Sequence, residues 1–119
     1  MKNQFICYPK CTTCQKAKKW LDENGIIYGE RHIKEQNPSM VELTEWWEKS
    51  NLPLKKFFNT SGLLYKSMQL KDKLPTMSEA EMIALLATDG MLVKRPILVG
   101  GSQVFVGFKE QEWEKIKEC

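Results

Sequence analysis

Near the start of the chain three cysteines fall within eight residues, and two of them form a C-x-x-C pair in the run Pro9-Lys10-Cys11-Thr12-Thr13-Cys14. The chemistry such a pair can do is thiol exchange. With Cys11 at the first turn of a helix, unpaired backbone N–H groups and the positive end of the dipole face its sulfur. Both favour thiolate over thiol, and Lys10 and Lys16 stand close in sequence to add positive charge. Cys14 then lies on the same helix face one turn later, at a Cα separation of about 5–6 Å that a disulfide spans without moving backbone. One thiol attacks an oxidised centre and the other displaces the product.

Other uses of these cysteines fit less well. Zinc needs two further N or S ligands at workable spacing, yet His32 is the only histidine and no second C-x-x-C follows. The spacing Cys7-x3-Cys11-x2-Cys14 matches the cluster-binding pattern of radical S-adenosylmethionine enzymes, which place all three thiols on one loop. Here Cys7 belongs to a predicted strand and is expected to be a buried structural thiol, so no metal is expected. Cys119 ends the chain and is expected to be exposed to adventitious oxidation. His32 and the pair Trp46–Trp47 read as strand and core residues.

Arg95-Pro96 is the second chemical feature. Of 18 cations only Arg31 and Arg95 are arginines, so a site needing several guanidinium forks has little to draw on. Taken alone, Pro96 suits the first position of an edge strand. A C-x-x-C at a strand–helix junction together with a proline before a late hairpin is instead the layout of a thioredoxin-like fold, where that proline is typically cis.

The elements that must hold these residues follow from periodicity. Residues 4–7 read as a strand, and residues 12–24 as a helix with Ala17, Trp20 and Leu21 on one face, closed by Gly25. Residues 26–33 return as a second strand, which completes a βαβ unit. Ser39 and Glu42 form a capping box for a helix carrying Met40, Leu43, Trp46 and Trp47. Short helices are predicted between residues 52 and 75, then a helix from Ser78 with Glu81 as its capping box, running through Ala87 and closed by Gly90. Residues 97–99 and 104–106 flank Gly100-Gly101 as a hairpin. A final helix over 110–117 buries Trp113 and Ile116. The expected architecture is α/β: βαβ, a helical insertion over about 39–88, then ββα, giving a mixed sheet of about four strands flanked by helices.

A chain of 119 residues and 13.9 kDa suits one domain, residues 1–119. With 42% hydrophobic and 28% charged residues it is neither disordered nor fibrous. The longest apolar run, residues 82–87, is far short of the roughly 18 needed to cross a membrane. A net charge of +3 offers no basic stripe for nucleic acid. Without a signal-peptide pattern, and with thiols crowded rather than spread as staples, a cytoplasmic location is expected.

The stretch Phe5-Ile6-Cys7-Tyr8-Pro9-Lys10-Cys11-Thr12-Thr13-Cys14 and the later Lys94-Arg95-Pro96-Ile97-Leu98 resemble the ArsC/Spx family, the arsenate-reductase-like branch of thioredoxin-like folds. Phe57-Phe58-Asn59-Thr60-Ser61-Gly62, Asp89-Gly90-Met91-Leu92 and Val106-Gly107-Phe108 resemble its small, little-characterised members in particular, and the likeness spans essentially the whole chain.

The resemblance implies a thiol–disulfide oxidoreductase, arsenate-reductase-like, with Cys11 as nucleophile, Cys14 as resolving thiol, Arg95 as oxyanion-binding arginine and Pro96 as the adjoining cis proline. It implies no bound cofactor, with electrons from glutathione and glutaredoxin or from thioredoxin. Arsenate reductases of the glutaredoxin-dependent kind use three arginines. The other two positions fall here near Asn59 and near Phe108–Lys109, so oxyanion binding should be weaker by roughly 1.5–3 kcal/mol per missing arginine. Lys10, Asn59, Pro96 and Lys109 are the candidate substrate-binding residues beside the catalytic three. The alternative that the Spx branch implies is a redox-sensing regulator that binds a protein partner such as the RNA polymerase α subunit. The chain ends at Cys119, without the further tail associated with those regulators.

Overall fold

The computed structural model describes residues 3–118. Its centre is a four-stranded sheet in the order β2-β1-β3-β4. β1 (Asn3–Cys7) and β2 (Tyr28–His32) run parallel, with Cys7 opposite His32. β3 (Ile97–Val99) is antiparallel to β1, and β4 (Val104–Val106) is antiparallel to β3. Among the described residues six α-helices surround the sheet: α1 (Thr12–Glu23), α2 (Met40–Ser50), α3 (Leu63–Ser67), α4 (Leu70–Lys73), α5 (Glu79–Leu86) and α6 (Glu110–Trp113). This is the thioredoxin-like α/β arrangement expected, with α2 to α5 as the helical insertion between β2 and β3.

Side chains alternate across a strand, so β1 divides the interior into two layers. Phe5 and Cys7 face α1 and α6, where they pack with Trp20, Leu21, Leu98 and Trp113. Ile6 faces the helical insertion, packing with Ile97, Leu43, Trp46, Phe57 and Leu86. Trp113 anchors the first layer, edge-on to Phe5, Trp20 and Phe108 at 6.3, 6.1 and 4.9 Å between centroids. Each such pair adds about 0.5–1.5 kcal/mol beyond the area buried.

Local sequence explains where the helices stop and start. α1 ends in a left-handed Gly25, φ 67°, and the N–H groups of Gly25 and Ile26 bond back to Asp22 and Leu21 at 3.3 and 3.0 Å. That pattern needs glycine in the left-handed position. Both expected capping boxes are formed: Ser39 with Glu42 opens α2, and Ser78 with Glu81 opens α5. Glu42 also receives both Arg31 Nη atoms, at 2.5 and 2.9 Å, so β2 is clasped to the start of α2.

Several boundaries differ from expectation. β2 is shorter than residues 26–33, and Ile27 ahead of it is 82% exposed. Met40 stays half-exposed at the start of α2, while Leu43 and Trp46 carry that helix's packing. Gly90 does not close the preceding helix. α5 ends at Leu86 with a right-handed Ala87 cap, and Gly90 opens a separate 3-10 turn, Gly90–Leu92. Its glycine is needed for another reason: a Cβ there would stand 1.9 Å from the Ile33 carbonyl oxygen. The last helix tightens into a 3-10 turn, Glu114–Glu118, while still burying Trp113 and Ile116. The expectation for Cys119 lies outside the described residues.

Candidate active site

Cys11 stands between β1 and α1 as the N-cap of α1, in extended conformation at φ −81° and ψ 123°. Its position is fixed from both sides. Its own N–H bonds the Tyr8 carbonyl at 2.9 Å, and the Gln15 side chain bonds the Pro9 carbonyl at 2.9 Å. α1 has no acidic residue in its first turn, so nothing competes with the sulfur for the positive end of the helix.

The electrostatics at Cys11 follow. Burial alone would raise the thiol pKa and is the largest single influence. The N–H and thiol of Cys14, the N–H of Thr13 and the charge of Arg95 together outweigh it, so Cys11 lies below the ordinary thiol value of 9.0. The sulfur makes no close capping bond at the helix start, and the amides act through their proximity. Among the leading influences on Cys11 the cation is Arg95.

Cys14 is the opposite case. It is 2% exposed, its sulfur accepts the Tyr8 N–H at 3.4 Å, and burial and then the Cys11 charge push its pKa up to about 12. Cys7 is buried as expected and is raised to about 11, by burial and by Glu30, whose carboxylate lies 3.9 Å from its sulfur. One acidic thiol therefore stands over two that hold their protons.

Arg95 precedes a cis peptide bond to Pro96. The flanking backbone is pinned: the Lys94 N–H bonds Phe57 O at 2.7 Å, and the Gly107 N–H bonds Pro96 O at 2.8 Å. The guanidinium lies 5.3 Å over the Tyr8 ring. Its Nε and Nη1 atoms are buried without a hydrogen-bond partner. Buried donors are normally satisfied, so two unpartnered guanidinium N–H groups beside an acidified thiol could receive a negatively charged group. Arg31 cannot share that task, because it is engaged by Glu42 and by the carbonyls of Gln36 and Asn37.

A cleft of about 1000 Å³ opens at this point. The structure brings Cys11, Asn59, Arg95 and Lys109 onto its walls. Lys10 is exposed and does not line it, and Pro96 and Cys14 are buried away from its walls. Lys109 also meets Glu112 at 3.7 Å. Sequence reasoning missed Tyr8, which seats Arg95, and the further cleft lysines Lys34, Lys55, Lys56 and Lys94. No periodicity links them, and a net charge of +3 hides their gathering.

The ArsC family model matches residues 7–116, and the chain belongs to the ArsC family. The uncharacterised protein YusI of Bacillus subtilis is 56% identical over 93% of this chain and 94% of its own. A crystal structure of an ArsC family related protein from Bacteroides fragilis superposes with a TM-score of 0.96 at 59% identity, covering 98% of each chain. The regulatory protein MgsR of Bacillus subtilis is 29% identical over 96% of this chain and 89% of its own. An arsenate reductase from Vibrio cholerae shares the fold, with a TM-score of 0.82 at 24% identity over 99% of this chain and 97% of its own.

Proposed function

We propose that this protein is a thiol–disulfide oxidoreductase of arsenate-reductase-like type that cycles between a dithiol and a Cys11–Cys14 disulfide. The observation that carries this reading is the acidified Cys11 between the orphaned guanidinium of Arg95 and the buried thiol of Cys14. In the first step the Cys11 thiolate attacks an oxidised sulfur, forming a mixed disulfide and expelling the other half as thiolate. Arg95 holds negative charge beside the reacting sulfur. Once Cys11 is bonded its charge is gone, which removes one influence that raised Cys14. Cys14 then attacks the Cys11 sulfur and its proton passes to the departing sulfur, so the substrate leaves as a thiol. The substrate gains two electrons and the protein loses two, to be restored by glutathione with glutaredoxin or by thioredoxin.

Arsenate is a poorer fit than a disulfide, since Asn59 and Lys109 stand where further arginines would be needed. Replacing Cys11 by Ser should abolish turnover of both. Assaying a disulfide and arsenate side by side, with each reductant, tests the reading, and undiminished turnover by the Ser variant overturns it.

A second reading has one observation in its favour: the relative MgsR carries a regulatory name. In that reading the same disulfide reshapes a surface for a protein partner, such as the RNA polymerase α subunit. Capture of the polymerase that depends on the redox state, without reductase turnover, would select it.

A further inference from the structure

The cleft above Cys11 is far larger than a tetrahedral oxyanion, which fills a few water volumes of about 30 Å³ each. At about 1000 Å³ it reaches the upper end of small-molecule sites. It does not end there. A recess of about 470 Å³ adjoins it, sharing Lys55, Lys56 and Thr60 and walled by Tyr65, Lys71, Leu74, Pro75 and Met82.

Charge on these walls is lopsided. Lys34, Lys55, Lys56, Lys94, Arg95 and Lys109 face two acids, Asp89 and Glu112. Both acids are already engaged: Asp89 accepts the Met91 N–H at 2.8 Å, and Glu112 meets Lys109. Among the described residues, Lys34, Lys55, Lys56 and Lys94 form no ion pair with a carboxylate. Leu63 lies on the same cleft and is 86% exposed, an apolar contact with no partner in the fold.

We propose that the oxidised sulfur brought to Cys11 belongs to an acidic peptide segment of a protein, laid along the lysine-lined cleft with an apolar side chain in the adjoining recess. This rests on the thiol-exchange reading above and names its substrate class. A small anion leaves most of the cleft and all of the recess unused. A polynucleotide satisfies the lysines but offers Cys11 no sulfur. A segment carrying carboxylates, a cysteine and an apolar residue uses every feature. Its cysteine arrives as a disulfide, Cys11 takes the peptide sulfur and expels the other thiol, and Cys14 then frees the peptide cysteine as a thiol.

The test uses the reduced full-length protein and octapeptides with one cysteine as its 2-thiopyridyl disulfide, flanked by Glu, Gln or Lys. Release of pyridine-2-thione reports the first step. The Glu-flanked peptide should react about tenfold faster than the Gln-flanked one at low salt, the Lys-flanked one slower, and the preference should shrink as salt is added. In Lys55→Glu/Lys56→Glu the Glu-to-Gln rate ratio should fall to about one or below. Equal rates for the three peptides overturn the proposal while leaving thiol exchange intact. So does a glutathione 2-thiopyridyl disulfide that outpaces the acidic peptide, or an oligonucleotide that blocks the reaction at lower concentration than a cysteine-free acidic peptide does. No release from any disulfide overturns the thiol-exchange reading itself.

Discussion

The guanidinium of Arg95 lies 5.3 Å over the ring of Tyr8, and Tyr8 in turn meets His32 edge-on at 5.7 Å. Tyr8 therefore does two things at once. Its ring carries the arginine, while its backbone N–H reaches the buried Cys14 sulfur. The Arg95 charge and the buried Cys14 thiol are thus both held by a single residue at the end of β1.

If Arg95 is the anion-holding group, removing its fork should be felt directly. Arg95→Ala should weaken inhibition by oxyanions by about 1.5–3 kcal/mol, roughly ten- to a hundredfold. It should also raise the Cys11 pKa, because the Arg95 charge helps to lower it. Arg95→Lys should restore the pKa better than the anion affinity, since it keeps the charge but not the fork. Iodoacetamide alkylation against pH, beside oxyanion inhibition, separates the two effects. An unchanged alkylation profile in Arg95→Ala rejects the assignment.

Acidity should also set the order in which thiols react. Cys11 lies below 9.0, whereas Cys7 and Cys14 are held near 11 and 12. At neutral pH iodoacetamide should therefore modify Cys11 well before Cys14 or Cys7, as mass mapping of timed samples will show. First labelling of Cys14 would contradict the roles given to the pair.

The clasp between β2 and α2 carries a pH dependence of definite sign. The hydrogen bonds from Arg31, assisted by the Ser39 cap, depress Glu42 from 4.5 to about 2. A depressed carboxylate stabilises the fold above its unfolded pKa, and that contribution fades as pH falls from about 4.5 toward 2. Both partners are partly exposed, so screening keeps the pair to about 1 kcal/mol or less. Glu42→Gln should thus lower Tm at neutral pH, with the gap closing near pH 2. A gap that persists at pH 2 would mean the loss is not ionic.

Two glycines should respond differently to alanine. At Gly25 there is open space for a Cβ, and only the positive φ resists, so Gly25→Ala should cost about 1 kcal/mol. At Gly90 the new methyl would collide with the Ile33 backbone, and the required shift of packed main chain should cost about 1–3 kcal/mol or more. Urea denaturation of both variants compares them, and a milder loss at Gly90 would be the contrary result.

Features carried by nearest neighbours in sequence were legible before the fold was known. The capping boxes at Ser39 and Ser78 and the glycine turn after α1 rest on contacts within a few residues. The Cys11–Cys14 pair was legible for the same reason, because helix geometry fixes its spacing. What could not be read is contact across space. Gly90 looked like a helix stop because nothing local announces the Ile33 carbonyl above it. Arg95 is placed beside Cys11 through the resemblance, since nothing in its neighbours in sequence ties the loop before β3 to the start of α1. The lysines of the cleft come from segments far apart in sequence, from Lys34 to Lys109, and only the folded chain gathers them.

Cys14 is sealed from solvent while Cys11 is not. Under the thiol-exchange reading proposed above, electron donor and acceptor would share a single doorway, neither entering until the other has left. That reading predicts double-displacement kinetics: initial-rate plots at several fixed donor concentrations should run parallel, and each half of the cycle should be observable in isolation.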